Sequence, residues 1–167
     1  GERIDTISGS DLGRAWVTAR RIAVPRGLPV MPEPALRERH YGGFQRLTYA
    51  EARSQHPEAF ARFEAREPEA GFPGRGGESL AAFDARVWSF VESLRRRHTG
   101  QTVLLVTHGG VLDIVARRVR GLGLVCTRDF DIANCALNWV SHDDGGWRVE
   151  RWGDVSHLDG ALDELPV

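Results

Sequence analysis

The chain has 167 residues and a formal net charge of −1, with 41% apolar and 27% charged residues. That length suits one domain with a sizeable core. The near-zero charge excludes a global field for nucleic acid or an anionic membrane, and no apolar run approaches a membrane span or fits a signal peptide.

The first predicted element is a short strand around Asp5 to Ser8. Ser10 or Asp11 is placed to cap a helix in which Leu12, Ala15, Trp16, Ala19, Ile22 and Ala23 keep helical spacing until Pro25. Leu28 to Met31 reads as a second short strand, and Leu36 to Gln45 is irregular and dense in polar groups. Thr48 and Glu51 fit a capping box, and Pro57 opens another helix at its first position, with His56 as its cap. Gly71 to Gly77 is a glycine-rich loop. Ser79 then caps a long helix whose stripe is Leu80, Phe83, Val87, Phe90, Val91 and Leu94. Arg95, Arg96 and Arg97 close it as a solvated end where positive charge suits the dipole, and His98 ends it.

Val103 to Val106 reads as a strand buried on both faces, followed by a helix over Val111 to Val119. Cys135 to Ser141 is a strand, Asp143 to Gly146 a hairpin turn that His142 is read as joining, and Trp147 to Trp152 the returning strand. The acidic tail beyond His157 is expected to be peripheral. Strands alternating with helices imply an α/β fold. The expected architecture is three-layer α/β/α, with a mostly parallel mixed sheet and a C-terminal antiparallel hairpin. Cys126 and Cys135 lack CxxC spacing, so free, partly buried thiols and a reducing, cytoplasmic setting are expected.

The most informative stretch is Thr107-His108-Gly109-Gly110. A strand feeding through glycines into a helix sets His108 beside free backbone N–H groups, which is an anion site. The competing reading is an ordinary turn whose histidine caps the helix. Arg14, in the first turn of its helix, can aim its planar fork at an anion, or it is a surface arginine. Glu38 stands in the crowded segment Leu36 to Gly43, as a site carboxylate or as half of a structural ion pair. Glu78 reads as a structural partner for a backbone N–H or an arginine. No His pair has zinc spacing, and there is no calcium loop, GxSxG, Walker loop or GxGxxG, so no metal and no cofactor are expected.

Taken in order, several blocks resemble the histidine phosphatase superfamily, also called phosphoglycerate mutase-like. They are Ser10-Asp11-Leu12-Gly13-Arg14-Ala15, Leu36-Arg37-Glu38-Arg39 through Phe44, Gly76-Gly77-Glu78-Ser79-Leu80, Thr107-His108-Gly109-Gly110, Ala133-Asn134-Cys135 and Ser156-His157-Leu158. The resemblance implies phosphomonoester hydrolysis through a phosphohistidine. It makes Glu38 the proton donor and has Arg14, His108 and the N–H of Gly109 hold the phosphoryl group. The implied partner is a small phosphorylated metabolite, not nucleic acid or membrane, with a homodimer left open.

One departure stands out. The family's N-terminal strand ends in Arg-His-Gly and brings the nucleophile. No such triplet occurs here, since Arg39-His40 is followed by Tyr41 and Arg97-His98 by Thr99. The expectation is that residues 1–167 are a single, N-terminally truncated histidine phosphatase domain, a piece of a longer polypeptide. The competing expectation is a shortened relative without phosphohistidine chemistry, serving as a phosphate-ligand-binding module. Arg39-His40-Tyr41-Gly42-Gly43 resembles the mutase branch of the family, yet the compact interval around Phe60 to Arg66 lacks the adjacent arginines that mutases share, so the resemblance points to hydrolysis over mutase activity. Residues recognising the organic half of a substrate are expected between Arg46 and Arg75.

Overall fold

The structure, a computed structural model, describes residues 3–159. Three parallel strands form its sheet: β1 (Thr6–Gly9), β2 (Val30–Pro32) and β3 (Val103–Val106), in the order β2-β1-β3. Gly9 pairs with both Pro32 and Val106, so the strands end at one common edge. The helices are α1 (Gly13–Ala23), α2 (Tyr49–Gln55), α3 (Pro57–Glu64), α4 (Leu80–Arg97) and α5 (Gly109–Arg120). β4 (Leu137–Asp143) and β5 (Gly146–Asp154) make an antiparallel hairpin hydrogen-bonded as a sheet of its own. The α/β class expected from the sequence holds, with a parallel sheet and a C-terminal hairpin.

The two faces of the parallel sheet follow from strand alternation. Gly9 faces α1 so closely that a methyl there would lie 3.0 Å from Ala19 Cβ. Ala15, Ala19 and Ala23 form the buried stripe of α1, and their small size permits that approach. Leu105 points the other way, into the main core with α4 and α5. That core contains every apolar position read in the α4 stripe, plus Leu36, Val111, Ile114 and Val115. A satellite cluster of Phe44, Ala52 and Phe60 sits beneath α2 and α3.

Local signals set most boundaries. The Thr48–Glu51 capping box forms, Pro57 opens α3, and Ser79 Oγ accepts from Ala82 N–H at 3.1 Å. Five expectations need correction. The cap of α1 is Leu12 without a side-chain bond, because Ser10 and Asp11 are engaged elsewhere. β3 is half-buried, since it pairs with β1 on one side and lies at a sheet edge among the described residues. His142 belongs to β4 and packs edge-on against Trp147. His56 precedes α3 as read, yet its ring stacks on Phe44 instead of bonding the helix end. Both thiols are free but exposed, because Cys126 and Cys135 lie in the irregular run between α5 and β4. The tail from residue 160 on lies outside the described residues. Among the described residues no helix is long and apolar enough to cross a membrane.

Ile114 is fully buried where α5 meets α4. Ile114→Ala should lower unfolding free energy by about 2–5 kcal/mol in a denaturant titration. Val17→Ala, at a half-exposed position of α1, should stay within about 0.5 kcal/mol.

Candidate active site

Residues that leave the common edge of the parallel strands meet there, where ligands gather in open α/β sheets. β3 runs through Thr107 into His108, the N-cap of α5. His108 has extended backbone (φ −126, ψ 163) and makes no capping bond to its own helix. Instead its Nε2 lies 2.8 Å from Ser10 Oγ, just beyond β1, and both residues are buried. Ser10 Oγ also accepts from Leu12 N–H at 3.3 Å, leaving its proton free to point at a neutral imidazole. Gly109 opens α5, so its N–H is one of the helix's unsatisfied donors.

Glu38 arrives from the irregular segment. Thr107 Oγ1 donates to Leu36 O at 2.9 Å and ties that segment to the end of β3. Glu38 Oε2 accepts from Gly110 N–H at 3.0 Å, and its Oε1 accepts from Arg39 N–H at 2.9 Å. The carboxylate therefore rests on the first turn of α5, where negative charge is favoured. A methyl at position 110 would overlap Glu38 Oε1, so any larger residue there displaces the carboxylate from the helix start.

A second layer holds this arrangement. Glu78 takes the structural role expected of it, accepting from Arg86 Nε and Nη2 at 2.8 Å each. Arg86 Nη1 donates to Ala35 O at 2.8 Å and Arg37 O at 3.2 Å, immediately ahead of Glu38. Arg39 is buried, donates to Glu78 O at 2.8 Å and lies 4.6 Å from the Phe72 ring centroid. Burial pushes its pKa below the ordinary arginine value.

An open cleft of about 1370 Å³ spreads over this surface, with Arg14 and Glu38 in its lining. Tyr41, Phe44 and Phe63 make an aromatic wall on its other side. Burial, then the Glu38 charge, raise the Tyr41 phenol to about 12. Arg37 at the rim is bound by Asp11 at 2.6 and 2.5 Å, whereas Arg14 has no acidic partner among the described residues. Burial and the Arg14 charge hold His108 below its ordinary value of 6.5, while Glu38 opposes them. The charges of Arg14 and Glu38 thus both reach His108, although His108 itself is not among the residues lining the cleft. Ser10, Arg86 and the Asp11–Arg37 pair were not legible as parts of this region. Ser10 and Asp11 carry a helix-cap signal that their tertiary bonds override, and Arg86 shows none beyond helical spacing.

Residues 1–155 match the model of the histidine phosphatase superfamily, branch 1. The chain belongs to the histidine phosphatase superfamily. Within it, the chain is 37% identical over 160 residues to phosphoglycerate mutase-like protein 4 of Arabidopsis thaliana, covering 95% of this chain and 68% of that protein. It is 35% identical over 158 residues to the metal-independent phosphoserine phosphatase of the same plant, covering 94% of this chain and 64% of that protein. The chain therefore spans about two thirds of the length of each plant histidine phosphatase relative. The solved structure of Bacillus stearothermophilus YhfR is similar with a TM-score of 0.84 and 30% identity, covering 93% of this chain and 77% of that one.

A histidine kept neutral by the fold makes the unfolded state bind more protons below pH 6.5. His108 therefore favours folding fully above that pH, and the benefit is lost as pH falls below it. Ring titration by NMR should place His108 below the ordinary value. Arg14→Ala should move it upward and Glu38→Gln downward, since the two charges act in opposite senses.

Proposed function

We propose that this chain carries the acid, the second histidine and one arginine of a phosphomonoesterase that works through a phosphohistidine. In this reading the nucleophile stands on an Arg-His-Gly strand elsewhere in the full-length polypeptide, and residues 1–167 act with it as one domain. The observation that carries the reading is the Glu38 carboxylate on Gly110 N–H, two residues from His108, with Arg14 lining the same cleft as Glu38. The sheet supports the missing strand. β3 has a partner on one side, while the separate hairpin packs through Val140 and Trp147 on the same core as Leu105.

The chemistry divides into two transfers. The nucleophilic nitrogen attacks phosphorus, the ester P–O bond breaks, and Glu38 gives the departing alkoxide a proton. Water then attacks, the P–N bond breaks, Glu38 takes the water proton, and inorganic phosphate leaves. Arg14, His108 and the N–H of Gly109 hold the equatorial oxygens, where charge is spread in the transition state. Relatives carry both phosphatase and mutase names, and the openness of the cleft favours water as acceptor. A substrate is a small phosphorylated metabolite whose organic half meets the aromatic wall. The lack of Arg-His-Gly in this sequence favours one alternative, a module that binds phosphate ligands without turning them over.

In the full-length protein, His108→Ala should cut kcat/KM by about 10²–10³-fold with unchanged circular dichroism. A near-wild-type rate would refute its role. Glu38→Gln should slow alkyl phosphates more than aryl phosphates, because good leaving groups need less proton donation. Phosphate release without isomer formation from a monophosphoglycerate separates hydrolysis from mutase activity, and vanadate binding without turnover would identify the binding module.

A further inference from the structure

A partly buried charge cluster ties the chain after α3 to α5. Asp113 lies on α5, one turn beyond Gly109. Its Oδ2 accepts from Arg66 Nη2 at 2.7 Å and from Arg117 Nε at 3.0 Å. Arg66 stands just past α3 with a left-handed backbone (φ 53), and its Nε donates to Leu124 O at 2.7 Å. Arg117 is 1% exposed, and its Nη1 donates to Gly123 O and Cys126 O at 2.8 Å each. Asp113 Oδ1 and Arg117 Nη2 are buried without a partner among the described residues.

This is an expensive way to close a seam. Two cations share one carboxylate oxygen, two polar atoms go unused, and a non-glycine residue sits in the left-handed region. Apolar packing would close the same seam at lower cost. What the ion cluster adds is a fixed direction and length. Three residues before Arg66, Phe63 forms part of the aromatic wall. At the other end of the link, the first turn of α5 carries His108 and grips Glu38. The Arg66 charge is felt at Arg39 and Tyr41, which flank the acid segment.

We propose that Asp113 is a positioning residue for substrate choice. By gripping Arg66 it sets how far the aromatic wall stands from the start of α5, and hence the size of alcohol accepted between them. The grip stands on its own geometry, and only its effect on esters rests on the phosphatase reading.

Asp113→Asn strands the buried Arg117 and the half-buried Arg66, so Arg66→Ala, which leaves the Asp113–Arg117 pair intact, is the primary variant. Arg66→Lys serves as rescue, and Arg53→Ala, at the exposed Arg53–Glu64 pair between α2 and α3, is the control. Hydrogen exchange is followed in the full-length protein, with kcat and KM for a compact alkyl phosphate and a bulky aryl phosphate. Arg66→Ala should lose protection over residues 57–77 while α5 keeps it. The KM ratio of the two esters should shift by about tenfold, with little change in either kcat. Arg66→Lys should recover part of both effects, and Arg53→Ala should show neither. Unchanged protection or an unchanged KM ratio in Arg66→Ala overturns the proposal. So does an equal loss on both esters, which marks general damage. A wild-type protein inert toward both esters overturns the phosphatase reading instead, and the exchange pattern then decides the grip by itself.

Discussion

The contact from Gly110 N–H to the Glu38 carboxylate is the constraint on which the site depends. It joins an irregular loop to the start of a helix, two pieces far apart in sequence. The helix end offers unsatisfied donors and a positive dipole end, so the loop gains a fixed anchor there. In return the carboxylate is oriented without a dedicated side-chain partner. A Cβ at position 110 would take the space of the carboxylate, so the second glycine of the pair keeps that resting place open.

Around that contact, the parallel sheet acts as a collecting edge. Because the strands run in register, Ser10 and His108 leave it side by side. Arg14 follows within the first turn of α1, and Arg86 secures the carbonyls that precede Glu38. Most of these supports are hydrogen bonds to backbone atoms. The outer layer thus fixes the course of the chain, and the course of the chain aims the functional groups.

Much of the fold was legible because its signals are local. The Thr48–Glu51 box, the Ser79 cap, the apolar stripe of α4 and the Gly145-Gly146 turn each lie within a few residues. Residues 14, 38 and 108 could be singled out from their types and settings. That Glu38 rests on Gly110, and that Ser10 turns to His108 instead of capping α1, was not legible. Serine at the end of a strand has two uses, and only the neighbouring strand decides between them. The half-exposure of β3 escaped for the same kind of reason, since an apolar run does not name its neighbours. The Arg66–Asp113 link pairs residues with no periodic relation, so no spacing rule could reveal it.

The outer rim of β3 has a colloidal consequence. Among the described residues, the side of Val103 to Val106 away from β1 presents main-chain donors and acceptors to no other strand. Such a rim is a template for zipping onto any extended segment, including the same rim of another molecule. Kept at high concentration without a neighbour for that rim, the polypeptide has a built-in route to precipitation that needs no unfolding.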